Sequence, residues 1–151
     1  MASVKKPFTL AHAARVTITT ALTDDLDLFI VFDANNDGTF SASEIIASSA
    51  GADGNESVTL IAPQDGNYQA WVQGFAVAGT PTFPLTIDAV QGTDLTVSGL
   101  PAGAVAAGTP VTIHVAFSKA MVAGQDYFGE LQLGPPTAPN AVSVPIKIHR
   151  Q

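Results

Sequence analysis

The sequence predicts an all-β protein, an antiparallel jelly-roll-like β-sandwich with a smaller β module packed against it. Apolar and polar residues alternate with a period of two along most of the chain, whereas helical periodicity is almost absent. The 13 Gly and 10 Pro divide the alternating runs into short pieces. Many short strands separated by Gly and Pro turns are typical of antiparallel sandwiches.

The alternating runs predict the strands in chain order. In the first part of the chain the runs are 16–18, 26–32, 58–62, 68–72 and 85–87. In the second part they are 95–97, 111–117, 127–133 and 142–148. The Asp65-Gly66 step before the fourth run is a strong turn signal. Pro145 lies inside the last run and cannot donate a ladder hydrogen bond, so we expect that strand at a sheet edge.

A boundary between two units is expected near residues 91–93. Residues 1–91 then form the main sandwich, and residues 92–151 form the smaller immunoglobulin-like or fibronectin-like module. About 60 residues are few for an independent sandwich, so we expect the second unit to depend on the first. Because the residues after Lys6 lack the clean apolar core of an export signal, we interpret the start as that of an excised or mature fragment with an added Met.

Composition excludes several classes of partner and chemistry. The formal net charge of −7 would repel nucleic acid and anionic membranes, so we expect neither as a partner. The chain has no Cys, which excludes disulfides, thiolate metal sites and cysteine nucleophiles. A chain with this negative charge is expected to attract cations.

The most specific motif is a twelve-residue calcium-loop pattern that begins at Asp33 and ends at Glu44. Calcium takes six to eight hard oxygen ligands from a loop that wraps around it. The pattern places oxygen-bearing side chains at the first, third, fifth and twelfth positions, a backbone carbonyl at the seventh, and Gly38 at the sharp turn. The predicted ligands are Asp33, Asn35, Asp37, Thr39 and Glu44.

The flanks of this loop differ from those of a helix–loop–helix calcium site. Residues 26–32 alternate as a strand, and residues 44–47 are short and compatible with β structure. We therefore predict a Ca²⁺ turn placed between strands. The alternative is a metal-free turn, because Asp, Asn and Gly are common turn residues.

No catalytic constellation can be identified. Asp25 and Asp27 share a predicted strand face and could act as an acid–base pair, but further ion ligands or backbone hydrogen bonding explain them more simply. Whether they form a second ion site stays open. The three His are scattered and expected to face solvent, and neither an HExxH nor a GxSxG motif occurs. We expect no enzyme activity.

Trp71 is the only tryptophan and shares a predicted strand face with Gln69 and Gln73. An aromatic ring flanked by amides can stack on a sugar or hold a polypeptide, so these three residues are candidate substrate-binding residues. The alternative is that residues 92–150 cover Trp71. The shortness of that segment favours this alternative, because the segment must bury its apolar face somewhere.

Several segments together resemble bacterial pre-peptidase C-terminal domains. They are the strand 25–32, the Asp/Asn/Gly loop, the segments 44–50 and 55–60, and the stretch 62–75 with its proline, glycine, tyrosine and valine-rich strand. The resemblance covers roughly residues 5–91. Residues 92–151 resemble the short fibronectin-like or immunoglobulin-like segment that closes many secreted subtilisin-like peptidases; the marks are 95–97, 110–112, 127–129 and 144–146.

The resemblance implies a non-catalytic, extracellular accessory domain attached to an upstream peptidase domain. Such domains are thought to assist secretion, stability or the binding of protein substrate, such as insoluble polypeptide. Some related jelly-roll modules on collagen-degrading enzymes bind calcium and collagen. The alternatives from other classes are a free-standing extracellular module that binds carbohydrate or a cell surface, and a hydrolase that uses Asp25 and Asp27.

Overall fold

The structure is a computed structural model that describes residues 3–151, and it is all-β as predicted. The interpretation of Met1 as an added residue lies outside the described residues. One 3₁₀ turn, Ala42–Glu44, follows the third strand. The strands are β1 Ser3–Leu10, β2 Ala13–Thr20, β3 Asp25–Phe32, β4 Ile45–Ala50, β5 Ser57–Ile61, β6 Gly66–Ala76, β7 Leu85–Gln91, β8 Leu95–Ser98, β9 His114–Phe117, β10 Asp126–Leu133 and β11 Val142–His149.

Strands β1 to β7 form two antiparallel sheets. The four-stranded sheet has the order β1-β6-β3-β4, and the three-stranded sheet has the order β5-β2-β7. The alternation predicted for β2, β3 and β6 directs their apolar residues into one core between the sheets. The residues of these strands that are at most 2% exposed and belong to the core are Val16, Ile18, Leu26, Leu28, Ile30, Tyr68, Ala70 and Val72.

The first strand, β1, is absent from the strands predicted above. Lys5, Lys6 and Pro7 interrupt its alternation, and only its last part carries the inward-facing Phe8 and Leu10. Because β1 lies at the edge of its sheet and pairs only with β6, it tolerates a proline and solvated lysines.

Residues 92–151 form two antiparallel hairpins, β8 with β9 and β10 with β11. Pro145 lies in β11, which pairs only with β10, so the predicted edge position is confirmed. The strand predicted over 111–117 is wrong in its first half, because β9 begins at His114. Its partner β8 ends at Ser98, opposite His114, and Gly99 then turns the chain at φ +79°, so residues 111–113 have no ladder to join.

A polar joint connects the second hairpin, β10 with β11, to the three-stranded sheet. Arg15 Nε on β2 donates to Glu130 Oε2 on β10 at 2.8 Å, and Gln132 Nε2 donates to the Ala14 carbonyl at 2.6 Å. The Glu130 side chain is only 2% exposed. Burial alone would raise the pKa of Glu130, but hydrogen bonds from Arg15, Ser143 and Gln132 outweigh it and hold the pKa below its usual range.

Candidate functional site

The calcium-loop pattern begins where β3 ends. Asp33 is 4% exposed, and its backbone N–H donates to the Asn67 carbonyl at 3.1 Å, which continues the contact between β3 and β6 for one more residue. Its carboxylate accepts the N–H of Asp37 on Oδ1 at 3.1 Å and the N–H of Gly38 on Oδ2 at 3.0 Å. Asp33 thus folds the following loop back around its own carboxylate.

The middle of the loop is a series of turns held by side-chain oxygens. Asn35 Oδ1 accepts the Asp37 N–H at 3.0 Å, and Asp37 Oδ1 accepts the Thr39 N–H at 2.7 Å. Asn36 and Gly38 have φ values of +56° and +76°, which are left-handed conformations that Asn and Gly adopt most readily. The structure therefore brings Asp33, Asn35 and Asp37 together, with Thr39 directly beside them.

Glu44, the twelfth residue of the pattern, points to a different partner. It ends the 3₁₀ turn, and its Oε2 accepts from the backbone N–H and the Oγ of Ser41, each at 2.9 Å. This is a capping box, and the Ser-x-x-Glu spacing of Ser41 and Glu44 is the sequence signal that indicates it. Glu44 Oε1, by contrast, is buried and has no hydrogen-bond partner.

The residues of the loop fit a hard cation in their chemistry. All predicted ligand atoms are oxygens. An ionised carboxylate has more lone pairs than those that accept backbone N–H groups, so it can also bind a cation. The buried, unpartnered Glu44 Oε1 is an acceptor that lacks a positive counterpart. Within residues 3–151, however, no three Asp, Glu or His side chains are gathered in a metal-binding arrangement, so Asp33, Asp37 and Glu44 do not form such a group here.

A second acidic group lies at the opposite end of β3. Burial, and then the charges of Asp25 and Glu56, raise the pKa of Asp27. Glu56 is 3% exposed, accepting the Gly51 N–H at 2.7 Å and the Ser49 hydroxyl. Asp25 Oδ1 is buried without a partner. Asp25, Asp27 and Glu56 therefore form a cluster of negative charge at this end of β3.

Trp71 lies on the outer face of the four-stranded sheet, as its alternation with the buried Ala70 and Val72 predicts. Its Nε1 donates to Gln69 Oε1 at 2.7 Å, and Lys5 Nζ lies 3.9 Å from the centre of the indole ring. Gln73 follows on the same face, opposite Asp27 in the register.

The alternative in which residues 92–150 cover Trp71 is wrong. The second unit contacts β2 and β7, which belong to the three-stranded sheet, and its joint is made with Ala14 and Arg15 on that sheet. Trp71 faces away from that sheet and is partly exposed. The short second unit therefore leaves the outer face of the four-stranded sheet open.

The three histidines are on the surface, as predicted. His12 and His149 have side chains 65% and 54% exposed, and each lies beside an aspartate, Asp65 and Asp126 respectively. His114 is exposed in β9. Lys147 and His149 donate to the carboxylate of Asp126 and hold its pKa below the usual value.

The antiparallel sheets define a β-sandwich type of module, and a comparison with protein families shows which family part of the chain resembles. Residues 5–74, just under half of the chain, match the family model of the bacterial pre-peptidase C-terminal domain. Domains of that family are non-catalytic accessory domains, typically at the C-terminus of secreted bacterial peptidases. The comparisons with curated proteins and with solved structures give no significant match.

The matched segment contains the calcium-loop pattern and all three residues of the Trp71 face, which are Gln69, Trp71 and Gln73. It begins in β1 and ends in β6, so it covers the four-stranded sheet except for residues 3, 4, 75 and 76, together with β2 and β5. Residues 3–151 include no helix long and apolar enough to cross a membrane.

Proposed function

We propose that the chain is a non-catalytic, calcium-stabilised accessory module of a secreted subtilisin-like peptidase, and that it supports stability and holds protein substrate. The observation that carries the proposal is the family match over residues 5–74. The net charge of −7 suits an extracellular setting with free calcium and suits neither nucleic acid nor an anionic membrane. In this proposal residues 1–91 are the pre-peptidase C-terminal-like sandwich and residues 92–151 are a small immunoglobulin-like or fibronectin-like module.

Calcium has a structural role in this proposal. Asp33, Asn35, Asp37 and Glu44 would supply side-chain oxygens, and the Thr39 carbonyl would complete the protein ligands. The ion supplies the positive charge that the buried Glu44 Oε1 lacks and offsets the repulsion among three carboxylates in twelve residues. The chain's own contribution is the preformed turn around the Asp33 carboxylate, which lowers the cost of ordering the loop.

Substrate contact is assigned to the Trp71 face. The indole ring is rigid and partly exposed, and Gln69 and Gln73 supply amide groups on the same face. Such a surface can bind the peptide groups of an insoluble polypeptide, with Lys5 moving off the ring as the ligand stacks on it.

The substrate role predicts that Trp71→Ala lowers cosedimentation with insoluble protein about tenfold while the melting temperature changes little. The matched control is Phe75→Ala, which removes another exposed aromatic ring from the same strand and should not affect cosedimentation. If Trp71→Ala leaves cosedimentation unchanged, or if it acts only by unfolding the protein, the Trp71 face does not bind substrate.

A free-standing module that binds carbohydrate or a cell surface is the second candidate, because an exposed tryptophan flanked by amides suits a sugar ring equally well. The same assay with insoluble polysaccharide in place of protein separates the two candidates. The reading frame separates them as well, since the leading proposal expects a peptidase domain with its own Ser, His and Asp upstream.

A further inference from the structure

The two edges of the four-stranded sheet differ in chemistry. At one edge, β1 carries Lys5, Lys6 and Pro7, which are residues that natural proteins use to prevent further strand pairing. At the other edge, β4 has the sequence Ile-Ile-Ala-Ser-Ser-Ala, with no charge and no proline. Within residues 3–151, β4 pairs with β3 and has no strand on its other side.

An open edge strand presents backbone N–H and C=O groups that an extended chain can pair with. A bulge opposite Ile30 and Val31 leaves residues 47–50 as the regular part of this edge. Ser48 and Ala50 are exposed and small, so they do not obstruct an approaching strand. The backbone of residues 47–50 is therefore regular and unobstructed, as pairing with one more strand requires.

An apolar cleft lies at one end of the β4 edge. Ile46 is 49% exposed, and Ile61 on the neighbouring β5 is 44% exposed. Together with Phe32 and Leu60 they line a cleft of about 310 Å³. A cleft of this size can take one large apolar side chain.

A cluster of three carboxylates lies at the other end of the edge. Ala50 is opposite Asp27 in the register, and Asp27 is surrounded by Asp25 and Glu56. The ion pairs formed within residues 3–151 involve none of these three carboxylates. A basic side chain that reaches over Ala50 would lie beside Asp27, close to the charges of the other two carboxylates.

We propose that the β4 edge binds an extended, basic polypeptide segment by strand addition, with a large apolar residue in the Ile46 cleft and a Lys or Arg beside Asp27. Ile46 and Ala50 are separated by about 13 Å in an extended strand, so the two anchor residues are about four positions apart. The inference goes beyond the proposed function, because it uses backbone pairing at the β4 edge and holds whether or not a peptidase is attached. Its Asp27 anchor lies beside Gln73 of the Trp71 face.

The test titrates the ¹⁵N-labelled chain with a blocked synthetic peptide of about eight Thr and Val residues that carries Phe and Lys four positions apart. Two further peptides carry N-methyl groups on alternate residues, one on the odd and one on the even positions. Strand addition predicts amide shifts at residues 47–50. It also predicts a loss of at least about tenfold in affinity for one methylated peptide and little loss for the other, because only one set of N–H groups faces the edge.

Charge recognition is tested with matched variants. Asp27→Asn should lower the affinity for the Lys peptide about fivefold. It should leave unchanged the affinity for a peptide in which norleucine replaces Lys. Asp88→Asn removes the same charge from β7 of the other sheet and should leave both peptides within about twofold. Ala50→Lys, an exposed position, should also weaken binding about tenfold and does not depend on the folding of the Asp27 variant.

The proposal is overturned if no shift occurs at residues 47–50 at about 1 mM peptide, or if both methylated peptides bind equally well. It is also overturned if Asp88→Asn weakens the Lys peptide as much as Asp27→Asn does, because binding would then reflect net charge alone. Shifts confined to the Trp71 face contradict this proposal while supporting the proposed substrate role. Conversely, if Trp71→Ala has no effect on cosedimentation while the amide shifts at residues 47–50 persist, the proposed substrate role fails and the strand-addition proposal stands.

Discussion

Gly38 sets the conformation of the loop that carries the calcium pattern. Its φ is +76°, and nothing lies within 4 Å of the position that a Cβ would take, so a side chain there meets strain only from the backbone. Gly38→Ala should lower the free energy of unfolding by about 1 kcal/mol and weaken calcium binding. Denaturant unfolding in chelator measures the first effect, and calorimetric titration with calcium measures the second.

Gly79→Ala is the matched control for that change, since Gly79 has a φ of +72° and equally open surroundings outside the loop. It should lower stability by a similar amount and leave calcium binding intact. Equal losses of calcium affinity in the two variants would show that Gly38 acts through global stability and has no part in the site.

The residues of the loop show how far the sequence predicts a site. Asp33, Asn35 and Asp37 come together as expected, because they lie within five positions and short turns bring such residues close. The position of Glu44 was not predicted. A competing local interaction, the capping box with Ser41, uses one of its carboxylate oxygens, and the calcium pattern contains no information on that competition.

At the scale of elements, the joint between β2 and β10 fixes the second unit on the three-stranded sheet. Arg15→Met keeps much of the apolar stem but leaves the Glu130 carboxylate buried without its cation. We expect a loss of about 2 kcal/mol in unfolding free energy at neutral pH, below the usual range for a fully buried pair because the Arg15 side chain is 38% exposed. Lys119→Met, which breaks an exposed pair with Asp94, should cost under about 0.5 kcal/mol.

The same joint predicts a dependence on pH. The pKa of Glu130 is lowered in the folded state, so its stabilising effect is present above the pKa of an unfolded glutamate and is lost as the pH falls through the folded pKa. The difference in stability between the wild type and Arg15→Met should therefore be largest at neutral pH and shrink in acid. Denaturant midpoints measured from neutral to acidic pH test this, and a constant difference would mean that the Glu130 charge is not involved.

Burial on one side makes alternation easiest to recognise, and the prediction missed the edge strand β1 and extended β9 too far towards its start. β3 and β6 lie in the interior of a sheet, and one side of each faces the core, so their sequences alternate. The edge strand β1 is not under that constraint. The Arg15–Glu130 contact spans 115 positions, and a pairing of that kind has no local signal in one sequence.

At the scale of the whole molecule, the two units differ in how much they bury. All residues of the buried core cluster belong to the first unit, from Leu10 to Val72. In residues 92–151 every residue is exposed or only partly buried, and Leu95 packs closely on the bare Cα of Gly129. Burial of this kind is too small to stabilise about 60 residues alone.

This distribution predicts different outcomes for the two halves of the chain. A fragment that ends at Gln91 should keep a cooperative unfolding transition and dispersed amide signals, whereas residues 92–151 alone should be unfolded. Circular dichroism and amide spectra of the two fragments check this. A folded second fragment would contradict the expected dependence of the second unit on the first, and two unfolded fragments would contradict the proposed division at Gln91.

Calcium stabilisation is the central claim, and it concerns the whole molecule because the loop joins β3 to the edge of the four-stranded sheet. An ion that binds only the folded state stabilises it by about 2.7 kcal/mol at a hundredfold excess over its dissociation constant. For a chain of this size that corresponds to a rise of about 5–10 °C in melting temperature. Magnesium should substitute poorly, since it requires a smaller and more regular octahedron.

The most direct measurement is therefore a pair of thermal melts, one in millimolar calcium and one in chelator, for the wild type and for Asp37→Ala. We predict that calcium raises the wild-type melting temperature and leaves that of Asp37→Ala unchanged. Wild-type melts that superimpose in calcium and chelator, with no change on Asp37→Ala, would contradict the claim and leave the Asp33–Glu44 loop a metal-free turn.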